Sequence, residues 1–190
     1  MNDRKMILFL LATTTACTLL LAGANLAYTR AAAVFNLRLY ETILELFDVP
    51  VPNEGVEDVF RAHFNEQTVG GTVYYTSKQK SPGTVVFKAE GAGLWSRVEL
   101  LLAVSASGNS LYGMRVLSQA ETPGLGGRIG EPEFQARFRG VDVRPKVKLV
   151  KFAMGGNEID AISGATMTSR AVERIINNGI ADADRALGRE

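Results

Sequence analysis

The sequence holds one cysteine and one histidine among 190 residues. A single cysteine closes no disulfide within the chain. One cysteine and one histidine are too few ligands for structural zinc, a cysteine-held iron–sulfur cluster or a bis-histidine haem, so no metal site is expected. Charge of one sign is equally scarce, with 21 basic residues against 20 acidic ones. Setting aside Asp3, Arg4, Lys5 and Arg30 leaves a body of formal net charge −1, which offers no electrostatic footprint for nucleic acid. The chain carries no internal repeat and no low-complexity tract. At 46% hydrophobic and 22% charged it is too apolar for disorder, and its length suits one domain plus a smaller element.

The smaller element lies at the N-terminus. From Met6 to Tyr28 no residue is charged, and as a helix this run spans about 34 Å, enough to cross a bilayer. Arg4 and Lys5 precede it, so the positive-inside bias predicts a cytoplasmic N-terminus, a single pass through the inner membrane and a body on the periplasmic or equivalent side. A cleaved secretory signal is the competing reading, because Ala22-Gly23-Ala24 satisfies the small-residue cleavage pattern. Both place the body in the same compartment. Cys17 lacks the large aliphatic residue that a lipidation signal needs at Thr14, and it reads as a small apolar side chain in the helix.

The body reads as α+β, an antiparallel sheet flanked by helices behind the N-terminal transmembrane helix. Residues 1–30 are expected as tip and anchor, 31–68 as a helical connector and 69–190 as the main domain. Phe35, Leu39, Ile43, Leu46 and Phe47 recur at helical spacing until Pro50 and Pro52, and Val56, Val59, Phe60 and Phe64 mark a second short helix. His63 beside that stripe reads as structural. Strands are expected over 71–76, 83–88, 98–105, 111–117 and 147–152, with a hairpin at Ser107-Gly108-Asn109 and Leu100, Leu102 and Val104 alternating on one face. Beyond Thr166, Ala171, Val172, Ile175, Ile176, Gly179 and Ala183 form the apolar face of a final helix, with Thr168 or Ser169 as its N-cap.

Chemistry gathers at the start of that helix. Asp160-Ala161-Ile162-Ser163-Gly164-Ala165-Thr166-Met167-Thr168 sets small residues and hydroxyls ahead of free backbone N–H groups, a pattern that suits a phosphate-bearing ligand or an ordinary capping loop. Glu121-Thr122-Pro123-Gly124-Leu125-Gly126 is a glycine loop without the Lys-Ser/Thr ending of a nucleotide-triphosphate loop. Gly93-Leu94-Trp95-Ser96 brings the only tryptophan next to glycine, where it packs in the core or against a planar ligand.

In this order and spacing the three segments resemble the FMN-binding domain of RnfG and NqrC, the flavin subunits of Rnf and sodium-pumping NADH:quinone oxidoreductase complexes. The resemblance implies covalent FMN joined by a phosphoester to Thr166, the last residue of Ser163-Gly164-Ala165-Thr166. It further implies a Mg-dependent flavin transferase that uses FAD as donor, with Asp160 in its recognition sequence. Glu121, Thr122, Leu125, Trp95 and Ser96 are implied candidates for contacts to the flavin ring or ribityl chain, and Thr168 for the phosphate. The expected function is therefore that of a membrane-anchored electron-transfer subunit partnered by other membrane subunits of an Rnf- or Nqr-type complex. The short chain leans towards the Rnf type; Gly93-Leu94-Trp95-Ser96 and the stretch from Glu131 to Gly140 look closer to NqrC. A free-standing extracytoplasmic flavin domain and a non-redox scaffold are the competing readings. The protein's share of the chemistry would be to hold and tune the cofactor.

Overall fold

The structure is a computed structural model and describes residues 3–189. The chain falls into two compact units, Met1–Glu41 and Thr42–Glu190. One long helix, α1 (Asp3–Leu46), supplies nearly all of the first and opens the second. Among the described residues it is the one helix long and apolar enough to cross a membrane, and Leu8, Phe9, Leu20 and Leu21 are all exposed along it. Three of its hydroxyls are satisfied locally: Thr13 donates to the carbonyl of Phe9, Thr14 to that of Leu10 and Thr18 to that of Thr14. A polar side chain that returns its donor to its own helix is tolerated in lipid, where no water substitutes.

The helix ends where Asp48 turns left-handed at φ 52°, a conformation a short polar side chain accepts. Pro50 and Pro52 follow, and α2 (Val56–His63) forms the second short helix. His63 Nδ1 lies 2.8 Å from the carbonyl of Val59, a helix-terminal contact. Phe64, expected within that helix, instead opens a strand.

Five strands form an antiparallel meander in chain order: β1 (Phe64–Val69), β2 (Thr72–Ser77), β3 (Val85–Ala92), β4 (Arg97–Val104) and β5 (Leu111–Ser118). The strand β1 escapes a reading by periodicity because Asn65, Glu66, Gln67 and Thr68 are exposed on both faces of a sheet edge. The central strand β4 also differs from its expectation. Leu100, Leu102 and Val104 do face one core, but Leu101 and Ala103 between them are fully buried as well. The sheet is covered on both sides, so alternation gives way to a continuous apolar run.

One cover comes from residues after Glu41. Phe47 stacks on Tyr112 with ring centroids 4.5 Å apart and meets Phe64 edge-on at 4.9 Å, while Phe60 meets Tyr75 edge-on at 5.3 Å. The segment expected as a connector thus contributes buried core in Ile43, Leu44, Phe47 and Phe60. The other cover is α4 (Thr166–Leu187), whose buried Val172, Ile175, Ile176 and Ile180 lie over β3 and β4. Close approach needs a missing side chain: a Cβ on Gly179 would stand 2.5 Å from the Cβ of Ala89.

Between sheet and final helix run a 3-10 turn (Gly126–Gly130), α3 (Pro132–Ala136), β6 (Lys148–Val150) and β7 (Glu158–Asp160). The stretch 147–152, expected in the antiparallel sheet, is corrected: β6 pairs parallel with β7 outside that sheet. Helix α4 holds this ribbon. Asn177 exchanges two hydrogen bonds with the backbone of Val147, and Glu173 accepts the N–H of Leu149 at 2.7 Å.

Candidate functional site

Three segments distant in sequence meet around the start of α4. The turn between β3 and β4 carries Gly93 to Ser96, the loop after β5 carries Glu121 to Gly126, and the loop after β7 leads into Thr166. One side chain ties them. Glu121 is 5% exposed, and its Oε1 accepts the backbone N–H groups of Leu94, Trp95 and Ser96 at 3.0, 3.0 and 3.2 Å. Its Oε2 accepts the Thr168 hydroxyl at 2.8 Å. Burial pushes this carboxyl up. The N–H of Trp95, the Thr168 hydroxyl and the N–H groups of Ser96 and Leu94 outweigh that push and hold it below its ordinary value, because each stabilises the ionised form.

The clamp explains two of the glycines. A Cβ on Gly93 would stand 2.5 Å from Glu121 Oε1, and one on Gly126 would stand 2.5 Å from Thr168 Oγ1. Ser96 completes the join, its hydroxyl oxygen accepting the N–H of Ala120 at 2.8 Å. Thr122 is exposed, and its carbonyl accepts the N–H groups of Leu125 and Gly127. Leu125 reaches the loop ahead of Thr166, since its Cδ2 lies 3.3 Å from where a Cβ of Gly164 would be. Trp95 is 73% exposed and so lies outside the core.

Thr166 opens α4 and is exposed. The expected cap at Thr168 or Ser169 is corrected, because the helix begins before both. Its N-cap is Ala165, with no side-chain cap, so the first N–H groups lack an intrahelical partner. The two downstream hydroxyls are turned inward: Thr168 serves Glu121, and Ser169 Oγ accepts the buried N–H of Ile162 at 3.1 Å. Asp160 Oδ1 accepts the N–H of Ala153 at 2.7 Å.

A cleft of about 570 Å³ lies against Thr166 and is lined by Leu149, Lys151, Phe152, Ser163 and Arg170 among others. A smaller one of about 180 Å³ shares Ser163 and brings Arg128 and Arg137 to the same loop. Ser163 and Gly164 are exposed and Ala165 is buried. Lys151, Phe152 and Arg170 are the residues that motif reading missed. Arg170 stands four residues after Thr166 on one helix and was accessible from spacing, whereas nothing local marks Lys151 and Phe152. The arrangement sets an exposed hydroxyl, free N–H groups and two cations beside an apolar wall, the chemistry that binding an anion would need.

The family model for the FMN-binding domain matches residues 93–181, the stretch that holds all three segments. Those residues belong to the FMN-binding domain family. Among curated relatives, the C subunit of the Na(+)-translocating NADH-quinone reductase of Vibrio vulnificus is 35% identical over 120 residues, covering 59% of this chain and 47% of its own. Its Vibrio alginolyticus counterpart is 33% identical over 139 residues, covering 69% and 52%. The chain therefore spans about half the length of the curated relatives it matches. The crystal structure of the corresponding Parabacteroides distasonis protein matches with a TM-score of 0.65 at 24% identity over 78% of this chain and 92% of that one. That of Shewanella oneidensis NqrC matches equally well in shape at 21% identity. These two likenesses confirm the fold class, an α+β domain with an antiparallel sheet and flanking helices.

Proposed function

We propose that the chain is the FMN-carrying electron-transfer subunit of an Nqr-type membrane complex, anchored by α1, with FMN joined by a phosphoester to Thr166. The observation that carries this reading is the setting of the Thr166 hydroxyl at the uncapped start of α4 in a cleft that also holds Lys151 and Arg170. A phosphodiester at that oxygen keeps one negative charge. Free N–H groups of the first turn favour an anion by about 0.3–1 kcal/mol at an exposed site, and the two cations add to it. The Nqr type is preferred over the Rnf type because the relatives above are subunits of Na(+)-translocating NADH-quinone reductase.

FMN supplies reversible one- and two-electron chemistry, and the chain's own residues hold it in place. Gly164 at φ 79° turns the backbone sharply ahead of Thr166, and Phe152 with Leu149 gives the cleft an apolar side. Leu125 and the exposed Trp95 are the contacts proposed for the planar ring, and Ser96 and Thr122 the polar contacts beside it. Ser163, at the mouth of both clefts, is proposed to face the phosphate.

The partners proposed are a flavin transferase using FAD and the other membrane subunits of the complex. With Arg4 and Lys5 cytoplasmic, the domain lies on the opposite side of the membrane. A single helix with no charged residue from Met6 to Tyr28 builds no ion path, so ion translocation belongs to those other subunits. Co-expression with a flavin transferase tests the attachment. The acid-precipitated chain should keep flavin absorbance and gain the mass of one FMN on the Thr166 peptide. Flavin retained after precipitation by Thr166→Ala would refute the linkage.

A further inference from the structure

Glu121 is a buried polar side chain near Thr166, and both of its oxygens are engaged within the chain. One oxygen is committed to three successive backbone N–H groups and the other to a hydroxyl of α4. The three donors belong to the turn that presents Trp95. The fourth lies two residues after Thr166, on the same helical turn. A single buried carboxylate therefore spans the two structures that would flank a planar ring and its attachment point. The glycines on either side leave room for it, since a Cβ at Gly93 or Gly126 would collide with this contact.

We infer that Glu121 is a positioning residue: its carboxylate sets the Trp95 turn relative to the Thr166 turn, and so fixes the environment of the attached flavin without touching it. The functional half of this inference rests on the flavin reading above; the positional half does not. Two consequences follow for the chain's behaviour. Removing the acceptor frees the Leu94–Ser96 turn while leaving Thr166 exposed and modifiable. Removing only the negative charge makes electron uptake by a nearby group easier, because a buried anion opposes added charge.

The sole tryptophan makes the positional half measurable. In the full chain without flavin, time-resolved fluorescence anisotropy of Trp95 should show the indole tumbling with the protein. Glu121→Ala should add a fast component at the expense of the slow one, and Thr168→Val should do so to a smaller degree, since it keeps the three backbone bonds. An anisotropy decay unchanged in both variants, with wild-type far-ultraviolet circular dichroism, would overturn the positional claim. If Glu121→Ala fails to fold, Thr168→Val decides it alone. In the chain carrying FMN, Glu121→Gln should leave the attached mass unchanged and raise the flavin midpoint potential, with an altered visible circular dichroism at the flavin bands. A potential and dichroism identical to wild type in both Glu121→Gln and Thr168→Val would overturn the functional half. A wild-type chain that takes up no FMN would sink the flavin reading instead, and the anisotropy measurement would still stand for or against the clamp.

Discussion

Two carboxylates flank the start of α4, and each accepts backbone N–H from a loop beside it, Glu121 three such groups and Asp160 one. Glu121 does so in the interior, 5% exposed, and joins three segments. Asp160 does so at the surface, where it takes one N–H from Ala153 and borders a loop with Phe152 and Met154 exposed by 76% and 94%. The contacts are alike in chemistry and differ in solvent. A hydrogen bond broken at the surface is replaced by water, while a donor orphaned in the interior keeps its full desolvation cost. The Thr166 region therefore has one firmly set wall and one lightly tethered wall. That asymmetry suits the proposed site, which would hold a cofactor on one side and admit it from the other.

The sharpest way to break the asymmetry is Glu121→Ala. It orphans three N–H groups and a hydroxyl, and chemical denaturation should show a loss on the order of 3 kcal/mol. Gly126→Ala attacks the same wall sterically, because its Cβ meets Thr168 Oγ1 and the Glu121 side chain; a loss of about 1–3 kcal/mol is expected from the same measurement.

Acid should then separate the two walls. The carboxyl of Glu121 is held below its ordinary value in the folded chain, so the unfolded chain binds the proton more tightly. Its contribution is full above the ordinary glutamate range and is lost as pH falls through the lower folded value. Unfolding free energy measured against pH should decline more steeply on the acid side in the wild type than in Glu121→Gln. Asp48, whose hydrogen bond from Arg139 also lowers its carboxyl, is untouched by that variant and leaves its own slope in both. Smallest of all, Asp160→Asn should cost less than about 1 kcal/mol and leave Trp95 anisotropy unchanged. A loss as large as that of Glu121→Ala would erase the contrast between the walls.

Much of the site was legible because its residues are of special types in special places. Gly164, at positive φ, and Thr166 stand in a motif whose backbone demands are local, and the helix after Thr166 announces its own apolar face. The role of Glu121 was not legible. Its position in a glycine loop made it a candidate for ligand contact, and only the fold shows its oxygens committed to Leu94, Trp95, Ser96 and Thr168. The cation Lys151 was overlooked for a related reason: it directly follows β6, whose parallel pairing with β7 has no periodic signature.

The fold divides in the same way. By itself the sequence determined a long apolar helix broken at Pro50, a set of short strands with a hairpin at Ser107-Gly108-Asn109, a final amphipathic helix and the presence of a phosphate-suited loop, since each depends on neighbours within a few residues. Tertiary structure decided that β4 is buried on both faces, that Phe64 belongs to a strand, that Trp95 is exposed and that Thr168 faces inward to a carboxylate 47 residues away. Those outcomes depend on which surfaces meet, and burial and hydrogen-bond satisfaction across long separations leave no mark on local periodicity.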